Sequence, residues 1–163
     1  MPTRRFFIGA ICAAAALAAG CAWWRNEKAA ITERLRAFTH VVNAAAPEGL
    51  GSVSRAAEIG SFFTDDVVVE LGEGATPIAG RETLMAMAMR LQPRLAQFTI
   101  GFTDANITVA PDSQSADVTL TVEFMSRDKS TRQQMDAREF KLAMRKGDGV
   151  WKMSRVTAVD TLK

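Results

Sequence analysis

Residues 97–161 read QFTIGFTDANITVAPDSQSADVTLTVEFMSRDKSTRQQMDAREFKLAMRKGDGVWKMSRVTAVDT. Four alternating runs stand in this stretch: Gln97 to Val109, Ala116 to Arg127, Gln133 to Lys146 and Val150 to Thr161. Turn-forming triplets separate them, namely Pro111-Asp112-Ser113, Asp128-Lys129-Ser130 and Gly147-Asp148-Gly149. Connections that short join only antiparallel neighbours, because a parallel return needs a long crossover. The alternation also assigns faces. Phe98, Ile100 and Phe102 share one face with Val118, Leu120, Val122 and Phe124, with Phe140, Leu142 and Met144, and with Trp151, Met153 and Val159. The opposite face carries Thr99, Thr103, Thr119, Thr121, Glu123, Glu139 and Lys141, a surface suited to solvent or to a protein contact.

Upstream of the sheet the pattern is helical. Ile31, Leu35, Phe38 and Val42 recur at steps of four, three and four from a capping Asn26, with Glu27, Glu33, Arg34 and Arg36 read as the solvated face. Pro47, Gly49 and Gly51 end that helix. A shorter one then runs from Ser52 to about Phe62, with Val53, Ala56, Ala57 and Ile59 as its packing side. Asp65-Asp66 opens a β-branched run, Val67 to Leu71, that is too short for a helix. A third helix is expected from Arg81 to about Ala96, with Leu84, Met87, Leu91 and Leu95 as its main stripe and Pro93 bending or shortening its last turn. The fold class is therefore α+β, with three N-terminal helices on a mainly antiparallel sheet.

Charge excludes a nucleic-acid footprint. The net +2 resides in Arg4 and Arg5, two of the 20 basic residues, which leaves 18 basic against 18 acidic groups in the body. Those arginines precede an uncharged run from Phe6 to Ala19, too short to span a bilayer and suited to a signal-peptide core. Leu17-Ala18-Ala19-Gly20-Cys21 resembles the lipobox of bacterial lipoproteins, with Ala18 where that family prefers a branched residue. The resemblance implies a signal peptide over residues 1–20 and lipidation of Cys21, with residues 21–25 as anchor and tether. It places the domain in the cell envelope, with the periplasmic face of the outer membrane favoured by Ala22. Thr3-Arg4-Arg5-Phe6-Phe7-Ile8 resembles a twin-arginine export signal, and a general secretory leader starting with two arginines is the alternative. Trp23 and Trp24 fit either the headgroup level or the domain surface. Cys12 lies in the segment expected to be removed, so no disulfide is expected in the mature domain.

The order helix, helix, short strand, helix, four-strand meander has two motifs as its signature. They are Phe62-Phe63-Thr64-Asp65-Asp66-Val67-Val68-Val69-Glu70 and Ile78-Ala79-Gly80-Arg81-Glu82-Thr83-Leu84. These resemble the nuclear transport factor 2-like superfamily, in particular its ketosteroid isomerase-like and SnoaL-like branches, over about Asn26 to Thr161. The resemblance implies a domain over residues 26–163, a curved sheet wrapped on a long helix, and a cone with an apolar pocket at its open end. Members of this superfamily include isomerases, dehydratases, hydrolases and proteins without chemistry, so the fold alone selects no activity.

By that resemblance the isomerase machinery is missing. The position of the general base, after the glutamate that ends the first strand, holds Leu71. The chain has no tyrosine for the oxyanion hole, and Phe38 lies near the matching place. The second oxyanion donor aligns around Lys141. The expectation is a non-enzymatic, lipid-anchored envelope module that binds a small apolar ligand or a protein partner, with Phe38, Val42, Leu71, Met85, Met89, Phe98 and Phe102 as its pocket. A homodimer through the threonine-bearing face is expected, with a membrane contact through Cys21 and no nucleic-acid partner. The alternative is an isomerase, hydrolase or dehydratase using carboxylate or histidine acid–base catalysis, with Glu70 and His40 as its groups. His40, the only histidine, is otherwise read as a hydrogen-bonded structural residue beside the apolar stripe. With one histidine and no free cysteine, no metal site and no cofactor are expected. Ser52, Ser54 and Ser61 have no nucleophile-elbow context.

Overall fold

A computed structural model describes residues 26–44, 50–72, 74–95, 97–127 and 134–159. The leader, Cys21, Trp23, Trp24, the Pro47–Gly49 break and the Asp128-Lys129-Ser130 turn lie outside the described residues. Three helices pack on a six-stranded, mostly antiparallel curved sheet. The order is α1 (residues 26–43), α2 (Leu50–Gly60), β1 (Phe63–Glu70), β2 (Ile78–Ala79), α3 (Arg81–Leu95), β3 (Phe98–Val109), β4 (Ser115–Ser126), β5 (Gln134–Gly147) and β6 (Val150–Ala158). The sheet runs β2-β1-β6-β5-β4-β3. β1 lies parallel to β6, and every other pairing is antiparallel. Among the described residues no helix is long and apolar enough to cross a membrane.

The meander follows the sequence reading to within a few residues at each strand end. Asp148 (φ 52°) and Gly149 (φ 77°) both take the left-handed conformation, the type I′ geometry whose twist matches the strands of a two-residue hairpin. Curvature enters at bulges. Between Thr103 and Asn106 two residues of β3 face one of β4, and Asp104 there has φ 51°. In β6, Ser154 is the extra residue between Met153 and Arg155, and its hydroxyl donates to the Ala143 carbonyl at 3.0 Å. This insertion inverts the parity of the strand. Trp151 and Met153 are buried as expected, but after the bulge Val156 and Ala158 take the inner face in place of Val159.

The core lies between the inner face of the sheet and α1. Ile31, Leu35, Val67, Val118, Leu120, Met144 and Trp151 are buried there, with Phe38 packed against them. Phe38 meets Phe62 and Phe63 edge-on at 5.4 and 5.7 Å between centroids and stacks on Phe102 at 6.2 Å.

Several polar residues depart from their sequence reading. Glu27, expected in solvent, is 4% exposed: it stands four residues before Ile31 and so continues the buried stripe. Its carboxylate accepts Lys146 Nζ at 2.7 and 2.8 Å and Trp151 Nε1 at 2.9 Å. The Lys146 hydrogen bonds hold its pKa below the ordinary 4.5, against the opposing effect of burial. Arg34 is likewise no solvated residue. It donates to the carbonyls of Trp151 (3.2 Å) and Ser61 (2.7 Å) and lies 3.9 Å from the Phe62 ring centroid, and burial lowers its pKa. Asp65 and Asp66 sit inside β1, which begins at Phe63, rather than opening it. Asp65 pairs with Arg81 at 2.7 Å, and Asp66 takes Arg145 Nη2 at 2.5 and 2.6 Å.

The helices α2 and α3 bury narrower faces than their apolar patterns imply. On α2, Ala56 and Gly60 are buried while Val53 and Ala57 are exposed. On α3, Leu84, Met85 and Ala88 face inward, and Met87 and Leu91 are exposed. The two helices meet where Gly60 lacks a side chain: a Cβ there would stand 2.6 Å from Met85 Sδ. The helix α3 opens at Gly80 (φ 86°), whose N–H donates to the Val67 carbonyl and whose carbonyl accepts the Leu84 N–H.

Candidate functional site

The open end of the curved sheet encloses a cavity of about 410 Å3 lined by Leu71, Phe98, Phe124, Asp136, Arg138, Phe140 and Ala158. Register explains the set. Phe124 pairs with Ile100 and with Asp136, Val122 with Arg138, Leu120 with Phe140, and Phe140 with Ala158, so these side chains belong to the inner face. Leu71 follows the last residue of β1 and is 47% exposed, which its position in the cavity wall accounts for.

The wall is apolar apart from one pair. Asp136 Oδ2 accepts Arg138 Nε at 3.1 Å, and Asp136 Oδ1 accepts the Ala137 N–H at 2.9 Å. Both side chains are more than half exposed, so the pair stands where the cavity meets solvent. From the sequence, Arg138 was one of several charged strand residues able to form polar pairs, with Glu70, Glu123, Glu139 and Arg155, and Asp136 was not among them. The pair's signal was present, because stepping back by twos from Phe140, Leu142 and Met144 reaches Arg138 and Asp136 on the same face.

The residues expected in a pocket occupy different places. Leu71 and Phe98 line the cavity, and Phe38 and Phe102 form the stacked pair of the aromatic cluster. Val42 is half-buried on the last turn of α1, Met85 packs on Gly60, and Met89 is exposed on α3. Glu70 points to the other side of the sheet. Its carboxylate accepts Arg155 Nη1 at 2.8 Å and Thr157 Oγ1 at 2.9 Å, on the face opposite Val69, Val156 and Ala158. His40 is exposed, not held within the core, and lines a separate cleft of about 370 Å3 with Val41, Ala44, Gly51, Ser54, Arg55 and Glu58. In that cleft Arg55 donates to the Val41, Val42 and Ala44 carbonyls and so closes the end of α1. Glu70 and His40 are therefore not brought together. Among the described residues no group of three or more His, Cys, Asp or Glu side chains is placed to hold a metal ion.

Leu71, a hydrocarbon side chain, stands at the mouth of the cavity. Asp136 is the carboxylate that the cavity does present, with an oxygen committed to Arg138 and the other to the backbone.

Comparison with known proteins bears on the fold. No curated protein matches the sequence. A nuclear transport factor 2-like protein with a cystatin-like fold from Novosphingobium aromaticivorans superposes with a TM-score of 0.69 at 12% identity, covering 86% of this chain and 85% of the other. A Catenulispora acidiphila protein in complex with S-DNPA gives 0.64 at 16% identity, covering 80% and 90%. A second Novosphingobium aromaticivorans protein, provisionally described as a scytalone dehydratase, gives 0.61 at 15% identity, covering 83% and 85%. The model of the SnoaL-like domain family matches residues 26–157, most of the 163-residue chain, and the protein belongs to that family.

Proposed function

We propose that the domain binds a small apolar molecule in the cavity at the open end of its sheet and does no proton-transfer chemistry of the ketosteroid isomerase type. The observation that carries this reading is the wall. Five of the seven lining residues are apolar, three of them phenylalanines, around a volume within the roughly 300–1,000 Å3 of small-molecule sites. Displacing water from such a surface supplies the driving force, and the aromatic rings favour a flat or cyclic ligand. The same reading tethers the domain in a bacterial envelope through lipidated Cys21, on the periplasmic face of the outer membrane. Its support is the lipobox-like Leu17-Ala18-Ala19-Gly20-Cys21.

The test is fluorescence of the neutral probe N-phenyl-1-naphthylamine with the full chain in lipid nanodiscs, read against protein-free nanodiscs. Leu71→Asp is expected to lower binding at least tenfold, and Met89→Asp, on exposed α3 surface, to leave it unchanged. Equal binding by all three proteins refutes the cavity reading. For the tether, Cys21→Ala is expected to release the protein from the membrane fraction. Retention after that change counts against lipidation.

One observation favours a second reading, an acid–base enzyme of the same fold: Asp136 places a carboxylate in an otherwise apolar wall. The relative provisionally described as a scytalone dehydratase makes a panel of cyclic ketone and alcohol substrates the reasonable screen. Turnover abolished by Asp136→Asn with folding intact would establish that reading over the first.

A further inference from the structure

Arg138 is more than an ornament of the cavity rim, because its guanidinium is fixed on one side and open on the other. Of its five N–H donors, Nε is committed to Asp136 Oδ2 at 3.1 Å. Asp136 is itself held, since its other oxygen accepts the Ala137 N–H at 2.9 Å. Among the described residues the two terminal nitrogens of Arg138 meet no protein acceptor. Arginine presents such an edge as a planar fork that matches the two oxygens of a carboxylate. Beyond it, Phe98, Phe124 and Phe140 continue the wall as hydrocarbon.

We infer that the ligand of this cavity is an apolar carboxylate, its hydrocarbon body against the phenylalanine rings and its two oxygens on the Nη1–Nη2 edge of Arg138. The inference rests on the cavity reading above and deepens it by naming the ligand's charged end. Charge decides the sign. A cationic ligand would have only the lone pairs of Asp136 left by Arg138 and Ala137 and would lie beside a guanidinium, whereas an anion completes donors that no described residue satisfies. A neutral apolar ligand gains only the wall. Asp136 acts here as a positioning residue: its bond to Nε turns the free edge of the fork toward the ligand and leaves the pair without net charge when the cavity is empty.

The test uses two probes of one shape, 2-naphthoate and the uncharged 2-naphthamide, titrated calorimetrically into the full chain in nanodiscs. The parent protein is expected to bind naphthoate about tenfold more tightly than naphthamide, a factor at the lower end for hydrogen bonds to charged groups because Arg138 is largely exposed. Arg138→Gln is expected to bring that ratio to about one. Where Arg138→Gln does not fold, the guanidinium NMR signals of the parent give the answer: naphthoate is expected to shift those of Arg138 and naphthamide to leave them in place. Equal affinity for the two probes, or a preference that survives Arg138→Gln, overturns the carboxylate inference alone. Binding of neither probe overturns the cavity reading along with it.

Discussion

Removing Lys146 is expected to move the pH dependence that Glu27 gives to stability from below pH 4.5 to above it, with the opposite sign. Glu27 is 4% exposed, and its carboxylate is held by Lys146 Nζ at 2.7 and 2.8 Å and by the Trp151 indole at 2.9 Å. In the folded parent its pKa lies below the ordinary 4.5, the Lys146 hydrogen bonds being the largest cause. The unfolded chain therefore holds more protons between those two values. Glu27 stabilises fully above pH 4.5, and its contribution is lost as pH falls through the folded pKa. Lys146→Met takes away the main cause of the depression and leaves burial, which acts in the other direction and outweighs the remaining Trp151 hydrogen bond. The folded pKa of Glu27 then rises above the unfolded one, and stability falls as pH climbs from 4.5 toward it, with a slope of at most about 1.4 kcal/mol per pH unit. At neutral pH the variant keeps a buried carboxylate without its cation, a change that costs about 3–5 kcal/mol in comparable buried pairs. Glu27→Gln/Lys146→Met has no charge to strand and is expected to recover most of that loss. Urea unfolding of the three proteins at pH values from 4 to 8 measures all of this. A Lys146→Met curve parallel to the parent's, or a loss at neutral pH below about 1 kcal/mol, refutes the reasoning.

Three further outcomes are expected. Arg145→Gln should let the Asp66 carboxyl, held at about 2 mainly by the Arg145 hydrogen bond, rise toward 3.8 in an NMR titration. The stabilisation lost as pH falls from 3.8 toward 2 in the parent should then be reduced. Asn43→Ala removes two bonds that tie α1 to β3, from Asn43 Nδ2 to the Ile100 carbonyl (2.7 Å) and from the Ile100 N–H to Asn43 Oδ1 (2.8 Å). It should cost about 1–3 kcal/mol and open the Ile100 amide to hydrogen exchange. Gly60→Ala puts a methyl 2.6 Å from Met85 Sδ, so overpacking of about 1–3 kcal/mol should outweigh a helix-propensity gain of about 1 kcal/mol, and adding Met85→Ala should restore stability in thermal melts.

The meander was legible because period two survives burial on one face: the four long strands stand close to where alternation puts them. Alternation fails where one residue is added. Ser154 carries no mark in the sequence that distinguishes it from its neighbours, yet it exchanges Val159 for Val156 and Ala158 on the inner face. The two-residue strand β2 was beyond reach for a related reason. Val68 and Val69 pair with Ala79 and Ile78, and a rung that short has no period to read. Composition misled in the opposite way for α3, whose methionines and leucines mark more surface as apolar than the sheet and α2 cover.

The site was harder to read because its residues are adjacent only through the sheet. Leu71 and Phe98 stand far apart in the strand order, on the exit from β1 beside the β2 edge and on β3 at the other edge, and curvature turns both toward one volume. The polar pair has a different cause. Charged residues on a strand are ordinarily assigned to solvent, and that rule hides the inward position of Arg138 despite its even spacing from Phe140 and Leu142. At a cone mouth the rule breaks, because an inward residue on the last turn of a strand pair has both the apolar wall and water within reach. Asp136 and Arg138 meet that condition: both belong to the cavity, and both remain more than half exposed. Glu70 is the converse. It follows the buried Val69 at the end of β1, next to Leu71, and looks well placed in the chain, but one step of alternation sends it to Arg155 and Thr157 on the far face. In this fold, parity on β5 and β6 decides which charged groups can meet a ligand, and proximity in sequence to the first strand's end does not.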